Sequence, residues 1–177
     1  TIIFIPFFKT LLNPNLWNNS LGLYFGRFEF NASVFYVLKF FGEWQFRFDT
    51  IHLVTPILMS AFVIFFSIVH LKKEFFSTDL QTFSRACLMI FYAYLICSTT
   101  VHPWYLAFPV LFAVLSGYYF PLVHSFFIIL SYAGYSQGSS KSYENGWFVL
   151  IEYGVVLVFF LIEVYLEKLR FYRLIKI

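Results

Sequence analysis

The feature that most constrains this sequence is a predominantly apolar run at positions 51–71 without Asp, Glu, Lys or Arg, which is followed by Lys72, Lys73 and Glu74. About 20 apolar residues in a helix span the hydrocarbon core of a bilayer. Hydrophobic residues make up 60% of the chain and charged residues only 12%. A soluble domain of this length would carry far more charge. The sequence therefore predicts an all-α, polytopic transmembrane helical bundle.

Four further apolar segments follow, and the sequence predicts that all five segments cross the membrane. Residues 83–99 and 147–168 come close to the required length. Residues 105–119 and 121–135 are short for spans, so tilt or burial among neighbouring helices must accommodate them. The stretch 136–145 is rich in Gly and Ser and is predicted to be a loop.

The distribution of basic residues predicts how the chain is oriented. Lys72, Lys73 and Arg85 flank one connection, and further basic residues crowd the C-terminus. Such residues favour the cytoplasmic side, and four predicted spans between the two groups return the chain to that side. We therefore expect a multi-pass protein of the cytoplasmic (inner) membrane with a cytoplasmic C-terminus and with residues 9–50 and His102 outside. The net charge of +3 is too small and scattered to indicate a nucleic-acid partner.

The chain divides into residues 1–50 and a five-span region at 51–177 that ends in a basic tail. The opening apolar stretch 2–8 is too short to span a bilayer and is expected to be the end of a truncated helix. We therefore expect the chain to be the C-terminal part of a longer protein.

An interfacial helix is predicted within the outer segment. Asn31 is a candidate N-cap for a helix over residues 32–41, and Gly42 is a candidate stop. Its mixture of polar and apolar residues is typical of a helix lying in the interface plane. A connector that only anchors the loop is the alternative interpretation.

One polar string precedes this helix. Arg27, Glu29 and Asn31 alternate with aromatic residues beside the predicted membrane. A salt-bridged loop and a helix cap are the structural alternatives to a binding site, and the cap is the favoured single role for Asn31.

A second polar string lies at the end of a predicted span. Pro103 breaks the helix, and His102 beside it can both donate and accept hydrogen bonds. Trp104 and Tyr105 suit a membrane interface, where an aromatic belt alone would explain them. His102 is therefore the residue that needs a further explanation.

Glu152 lies within the last predicted span, and Glu163 follows on nearly the same helix face. A carboxylate inside a membrane is costly without a partner, so Glu152 marks either a functional site or a hydrogen-bonded packing site. The predicted topology places His52 and His102 outside and His70 and His124 inside. Because the histidines are divided in this way, no metal site is expected.

Several strings together resemble a known family. They are residues 27–36 (RFEFNASVFY), 98–105 (STTVHPWY), 130–133 (LSYA), 144–145 (EN) and 150–153 (LIEY). In this order they resemble the C-terminal half of bacterial multi-spanning glycosyltransferases of the GT-C class, often named mannosyltransferases. The likeness covers nearly the whole chain, and its more specific parts are FNAS and VHPWY.

The resemblance implies transfer of a sugar, with mannose as a candidate, from a polyprenyl-phosphate donor on the outer face of the cytoplasmic membrane. The acceptor would be a glycan or a lipid-linked molecule, and no cofactor is implied. In such enzymes the base is usually an acidic residue in the first outer loop. That loop is expected in the remaining N-terminal part of the same protein, so no residue of this chain is assigned as the base and the chain alone should be inactive.

Under this hypothesis the polar residues acquire roles in substrate binding. A cation or hydrogen-bond donor would stabilise the leaving lipid phosphate, and the candidates are Arg27, Lys39 and His102. Trp104 and Tyr105 would stack on a sugar or line a lipid groove, and Glu29 and Asn31 would hydrogen-bond sugar hydroxyls. Residues 27–39 and 98–105 are then expected to converge on one cavity.

The competing interpretation is a non-enzymatic protein, either a transporter or an accessory subunit of a membrane complex. The intramembrane Glu152 would suit a transporter. The sequence lacks, however, a pair of Gly- or Pro-interrupted helices repeated in two halves, as transporter repeats predict.

Overall fold

The computed structural model describes residues 28–71, 79–137 and 146–175, and within those ranges the chain is helical apart from its connections and one short backbone pairing. The α-helices are α1 (Val34–Phe46), α2 (Ile51–His70), α3 (Leu80–Cys97), α4 (Ala107–Ser116), α5 (Phe120–Phe127) and α6 (Gly146–Ile175). Two 3₁₀ helices, Pro103–Leu106 and Ile128–Gln137, adjoin α4 and α5.

Three of these helices are long and apolar enough to cross a membrane: Ile51–His70, Leu80–Cys97 and Gly146–Lys168. Many of their apolar side chains face outward, as lipid contact requires, among them Ile57, Val63 and Leu150. The predicted all-α architecture with long apolar helices is confirmed for these segments. The two segments predicted to be short spans form shorter apolar helices, Pro103–Ser116 and Phe120–Tyr132.

Helix α1 differs from its prediction at both ends. It begins at Val34, with Ser33 at the N-cap position, so the prediction of Asn31 as the N-cap is wrong. Asn31 adopts a left-handed conformation (φ 49°), and its side chain turns to a distant partner on α6. The predicted stop at Gly42 is also wrong, because α1 continues to Phe46 and ends at a left-handed Arg47 (φ 60°).

Gly42 instead permits close packing between α1 and the start of α2. A Cβ atom built at Gly42 would lie 2.7 Å from the Thr50 Oγ1 atom. That distance is far inside van der Waals contact, so the two backbones can approach this closely only at a glycine. Beside this contact, buried side chains of α1 and α2 form a small core: Phe35, Ile51, Val54 and Leu58, with Ala32 ahead of the helix.

The turn between α4 and α5 is fixed by a carboxylate from α6. Gly117 reverses the chain with φ 79°, and the backbone N–H groups of Tyr119 and Phe120 then donate to Glu163 at 2.7 and 3.1 Å. Pro121 has no N–H to satisfy. Glu163 therefore accepts hydrogen bonds from two N–H groups that have no partner within the helix, and its negative charge offsets the positive dipole at the start of α5.

Glu167 makes a second link at the same end of the molecule. It forms an ion pair with Arg85 of α3 at 2.6 Å and accepts a hydrogen bond from the Tyr118 hydroxyl at 2.6 Å. Burial, together with this hydrogen bond, raises the pKa of Tyr118 to about 12, so the phenol remains a donor throughout the physiological range. Carboxylates one turn apart on α6 thus hold α3 and the α4–α5 turn together.

Replacing Glu163 with Gln is expected to lower the free energy of unfolding by about 1 kcal/mol, the usual scale for losing a charged helix cap. Thermal melting in detergent measures the change. The neighbouring Tyr165→Phe substitution is the matched control, because the Tyr165 side chain is exposed. Equal melting temperatures for Glu163→Gln and the parent would show that the cap contributes nothing.

Candidate functional site

A short strap, residues 28–32, brings the two polar strings of the sequence together. The Phe30 N–H donates to the Thr99 carbonyl at 3.0 Å, and the Val101 N–H donates to the Phe30 carbonyl at 2.8 Å. These bonds form a parallel bridge between Phe30 and Thr100. The described parts of segments 27–39 and 98–105 therefore lie against each other. That they share one cavity stays a prediction, because no residue of 98–105 lines either of the two cavities described below.

Three rings form a continuous stack where the strap meets the second string. The His102 ring lies 4.8 Å from Phe30 on one face and 4.2 Å from Trp104 on the other, with interplanar angles of 27° and 13°. Tyr105 meets His102 edge-on at 5.6 Å. Phe30 is 2% exposed, whereas Trp104 is 61% exposed. The aromatic stack therefore runs from the protein core to its surface.

Stacking leaves His102 only its edges for hydrogen bonding. Its Nδ1 atom is buried and has no hydrogen-bond partner among the residues that the structure describes. Burial lowers the pKa of His102 below its usual value, because removing the ring from water disfavours its charged form. A neutral ring with its proton on Nε2 avoids burying an unpaired N–H group at Nδ1. His102 is therefore suited to donate a neutral hydrogen bond from Nε2.

Lys39 is surrounded by carboxylates. It forms an ion pair with Glu29 of the strap, and the carboxylates of Glu43 and Asp49 each lie 3.6 Å from its Nζ atom. Burial lowers the pKa of Lys39, but the hydrogen bond to Glu29 and the charges of the three carboxylates raise it further, so the net pKa is above the usual value. Lys39 is thus charged and compensated, which makes it a weaker partner for a phosphate than a solitary lysine.

A buried polar network lies beneath the strap. Within it the Oε1 atom of Glu152 accepts from Asn31 Nδ2 at 2.8 Å and contacts His124 Nε2 at 2.9 Å. The Nδ1 atom of His124 in turn lies 3.2 Å from the Tyr92 hydroxyl. Asn31, His124 and Glu152 are all fully buried. Glu152 therefore has the partners that an intramembrane carboxylate requires.

His124 is a residue of this network to which the sequence analysis assigned no role. The structure pairs it with Glu152, because α5 sets His124 beside the first half of α6. Two ionisable residues in neighbouring apolar segments were the available signal.

Two cavities adjoin the strap. A groove of about 790 Å³ lies between the strap, α1 and the first half of α6, with Phe28 and Glu29 at one edge. A second, apolar cavity of about 390 Å³ reaches Tyr92 and His124. Both cavities are lined by Ser33, Val34, Tyr153 and Leu157. Gly154 widens the groove, since a Cβ atom built there would meet nothing within 4 Å.

The structure thus gathers most of the predicted site residues around the strap. His102, Trp104 and Tyr105 form or flank the stack, and Glu29 and Lys39 form an ion pair near the groove. Asn31 is turned inward to Glu152, and Arg27 lies outside the described residues. Across residues 28–71, 79–137 and 146–175, no group of three His, Cys, Asp or Glu side chains could hold a metal ion.

No protein family, curated protein or solved structure matches the chain. The assignment of a function therefore depends on the geometry of the site and on the motifs of the sequence.

Proposed function

We propose that the chain is part of a membrane glycosyltransferase that transfers a sugar from a polyprenyl-phosphate donor to a glycan or lipid-linked acceptor. The observation that carries the proposal is the pairing of the strap with the His102 string. It sets a histidine and an exposed indole near one end of a groove, because Phe28, which lines the groove, has its ring 6.2 Å from that of His102.

The groove suits the lipid part of such a donor. Its volume of about 790 Å³ is within the range of small-molecule sites, and its lining is largely apolar apart from the side chains of Glu29, Ser33, Tyr36 and Tyr153. In the proposal, the apolar part of the groove takes up hydrocarbon of the donor lipid. A polyprenyl chain could enter there with its phosphate towards the polar edge at Glu29.

The chemistry needs stabilisation of negative charge. Transfer breaks the bond between the anomeric carbon and the phosphate oxygen, forms a bond to the acceptor oxygen, and leaves an anionic lipid phosphate. The proton of the acceptor hydroxyl passes to an acidic base, which the proposal assigns to the remaining N-terminal part of the protein. The Nε2–H group of His102 would donate to the departing phosphate, and Trp104 would stack on the sugar.

The proposal includes an orientation: His102 and α1 outside the cytoplasmic membrane, and the α2–α3 connection and the C-terminus inside. Single cysteines test it in a background without Cys87 and Cys97. We expect an impermeant maleimide to label Trp44→Cys in intact cells and Leu71→Cys only after lysis, since the native side chains are 74% and 83% exposed. The reverse pattern would invert the topology.

A sugar-transfer assay tests the function. The complete gene product is reconstituted in proteoliposomes with radiolabelled polyprenyl-phosphate sugars, including mannose, and with a membrane glycolipid extract as acceptor. We expect label to move from the donor to the acceptor fraction. Absence of transfer from every donor, in a protein shown to be folded by thermal melting, would overturn the proposal.

A proton-coupled transporter is the second candidate, and the buried Glu152–His124 pair is the observation that favours it. The same proteoliposomes distinguish the two. Movement of an intact, unhydrolysed sugar lipid or solute driven by a pH gradient, without transfer to an acceptor, would support the transporter.

A further inference from the structure

We infer that Glu152 is a positioning residue that sets the strap from within the long apolar helix α6 and thereby holds the stack of Phe30, His102 and Trp104 in place. The inference goes beyond sugar transfer, because it concerns what fixes the site, whichever molecule the site binds.

The first step is the conformation of the strap. Asn31 has a φ of 49°, in the left-handed region, which asparagine tolerates better than most residues other than glycine. Two bonds from adjacent residues of α6 hold it. Glu152 accepts from the Asn31 side chain at 2.8 Å, and the Tyr153 hydroxyl donates to the Asn31 carbonyl at 2.8 Å.

The second step leads from Asn31 to the stack. Phe30, its neighbour in the strap, is bonded through its N–H and carbonyl to Thr99 and Val101. The Phe30 ring covers the inner face of His102 at 4.8 Å. A change at Asn31 therefore reaches His102 through one peptide bond and one ring contact.

The third step is what orients Glu152. Its Oε1 atom makes both contacts, to Asn31 and to His124, while Oε2 has no hydrogen-bond partner among the described residues. His124 is fixed in turn by the Tyr92 hydroxyl on α3. The carboxylate is therefore aimed at the strap by α3 and α5, which explains why a charge-bearing side chain stands at this buried position.

Tryptophan fluorescence can test the inference without any activity assay. Trp104 is made the single tryptophan by Trp17→Phe, Trp44→Phe and Trp147→Phe, of which Trp44 and Trp147 are exposed. A protonated imidazole stacked on an indole quenches its emission, so an acid titration of the chain in detergent reports the protonation of His102 through Trp104. In this background we expect a midpoint below 6.5, since burial lowers the pKa of His102.

The informative variant is the double substitution Glu152→Leu with His124→Leu, which removes the network without leaving an unpaired buried charge. We expect the midpoint to rise toward 6.5 and the quenching amplitude to fall at least twofold, because His102 is no longer held between its neighbours. Glu152→Gln, which keeps an acceptor for Asn31, should retain the parent midpoint.

Glu163→Gln is the matched control, because it changes the same residue type on the same helix and weakens the cap of α5. We expect it to leave the titration of His102 unchanged. If the double variant keeps the parent midpoint and amplitude while folded, Glu152 does not position the stack. If Glu163→Gln shifts them equally, the effect belongs to general stability, and the inference likewise fails.

Discussion

Replacing His102 with alanine in the complete protein is expected to lower the turnover of sugar transfer by about ten- to a thousand-fold, the scale of losing one contact to a developing anion. In the proposed mechanism the neutral ring donates a hydrogen bond from Nε2 to the departing phosphate, and alanine removes that donor. Turnover is measured per folded molecule, with the folded fraction taken from thermal melting in detergent.

His102→Gln is the control that separates the hydrogen bond from the stack, because a glutamine amide can donate but cannot replace an aromatic ring. We expect it to retain more turnover than His102→Ala. A purely structural His102 would behave differently: stability would fall and the folded fraction would keep normal rates. Parent turnover in a well-folded His102→Ala protein would remove His102 from the mechanism.

Replacing Glu152 with leucine is expected to lower the free energy of unfolding by about 3–5 kcal/mol, the cost of removing one partner from a buried pair. His124 and the Asn31 amide would lose their acceptor in a fully buried site. Unfolding in detergent, followed by helical circular dichroism, measures the difference from the parent.

The double substitution Glu152→Leu with His124→Leu serves as its control. Replacing both members of a buried pair by apolar side chains is often neutral, so the double variant should recover most of the lost stability. A single Glu152→Leu variant as stable as the parent would mean that the pair contributes no net stabilisation.

The sequence was sufficient for the long helices because their signal is an average over about 20 residues. It also predicted that the strings around Asn31 and His102 converge, from their shared predicted side and their polar residues, and the structure brings their backbones into contact. The hydrogen bond of Asn31 could not be predicted from its neighbours in the sequence. Capping preference describes the next few residues, whereas the actual partner, Glu152, lies 121 positions away.

His124 was missed for a related reason. The sequence analysis considered His124 only as a possible metal ligand, whereas its partner, Glu152, lies 28 positions away on another helix. Spacing along the chain does not show which faces of two helices meet, so the pair was not predicted.

The two glycines beside the site should differ sharply in a saturation library. At Gly42 even a methyl group would collide with Thr50, so α1 and α2 would have to separate, and α1 carries Lys39 and Glu43. At Gly154 the space is open. We expect folded protein to be recovered only with glycine at position 42, and with side chains of graded size at position 154. The largest side chain tolerated at position 154 would then measure the width of the groove.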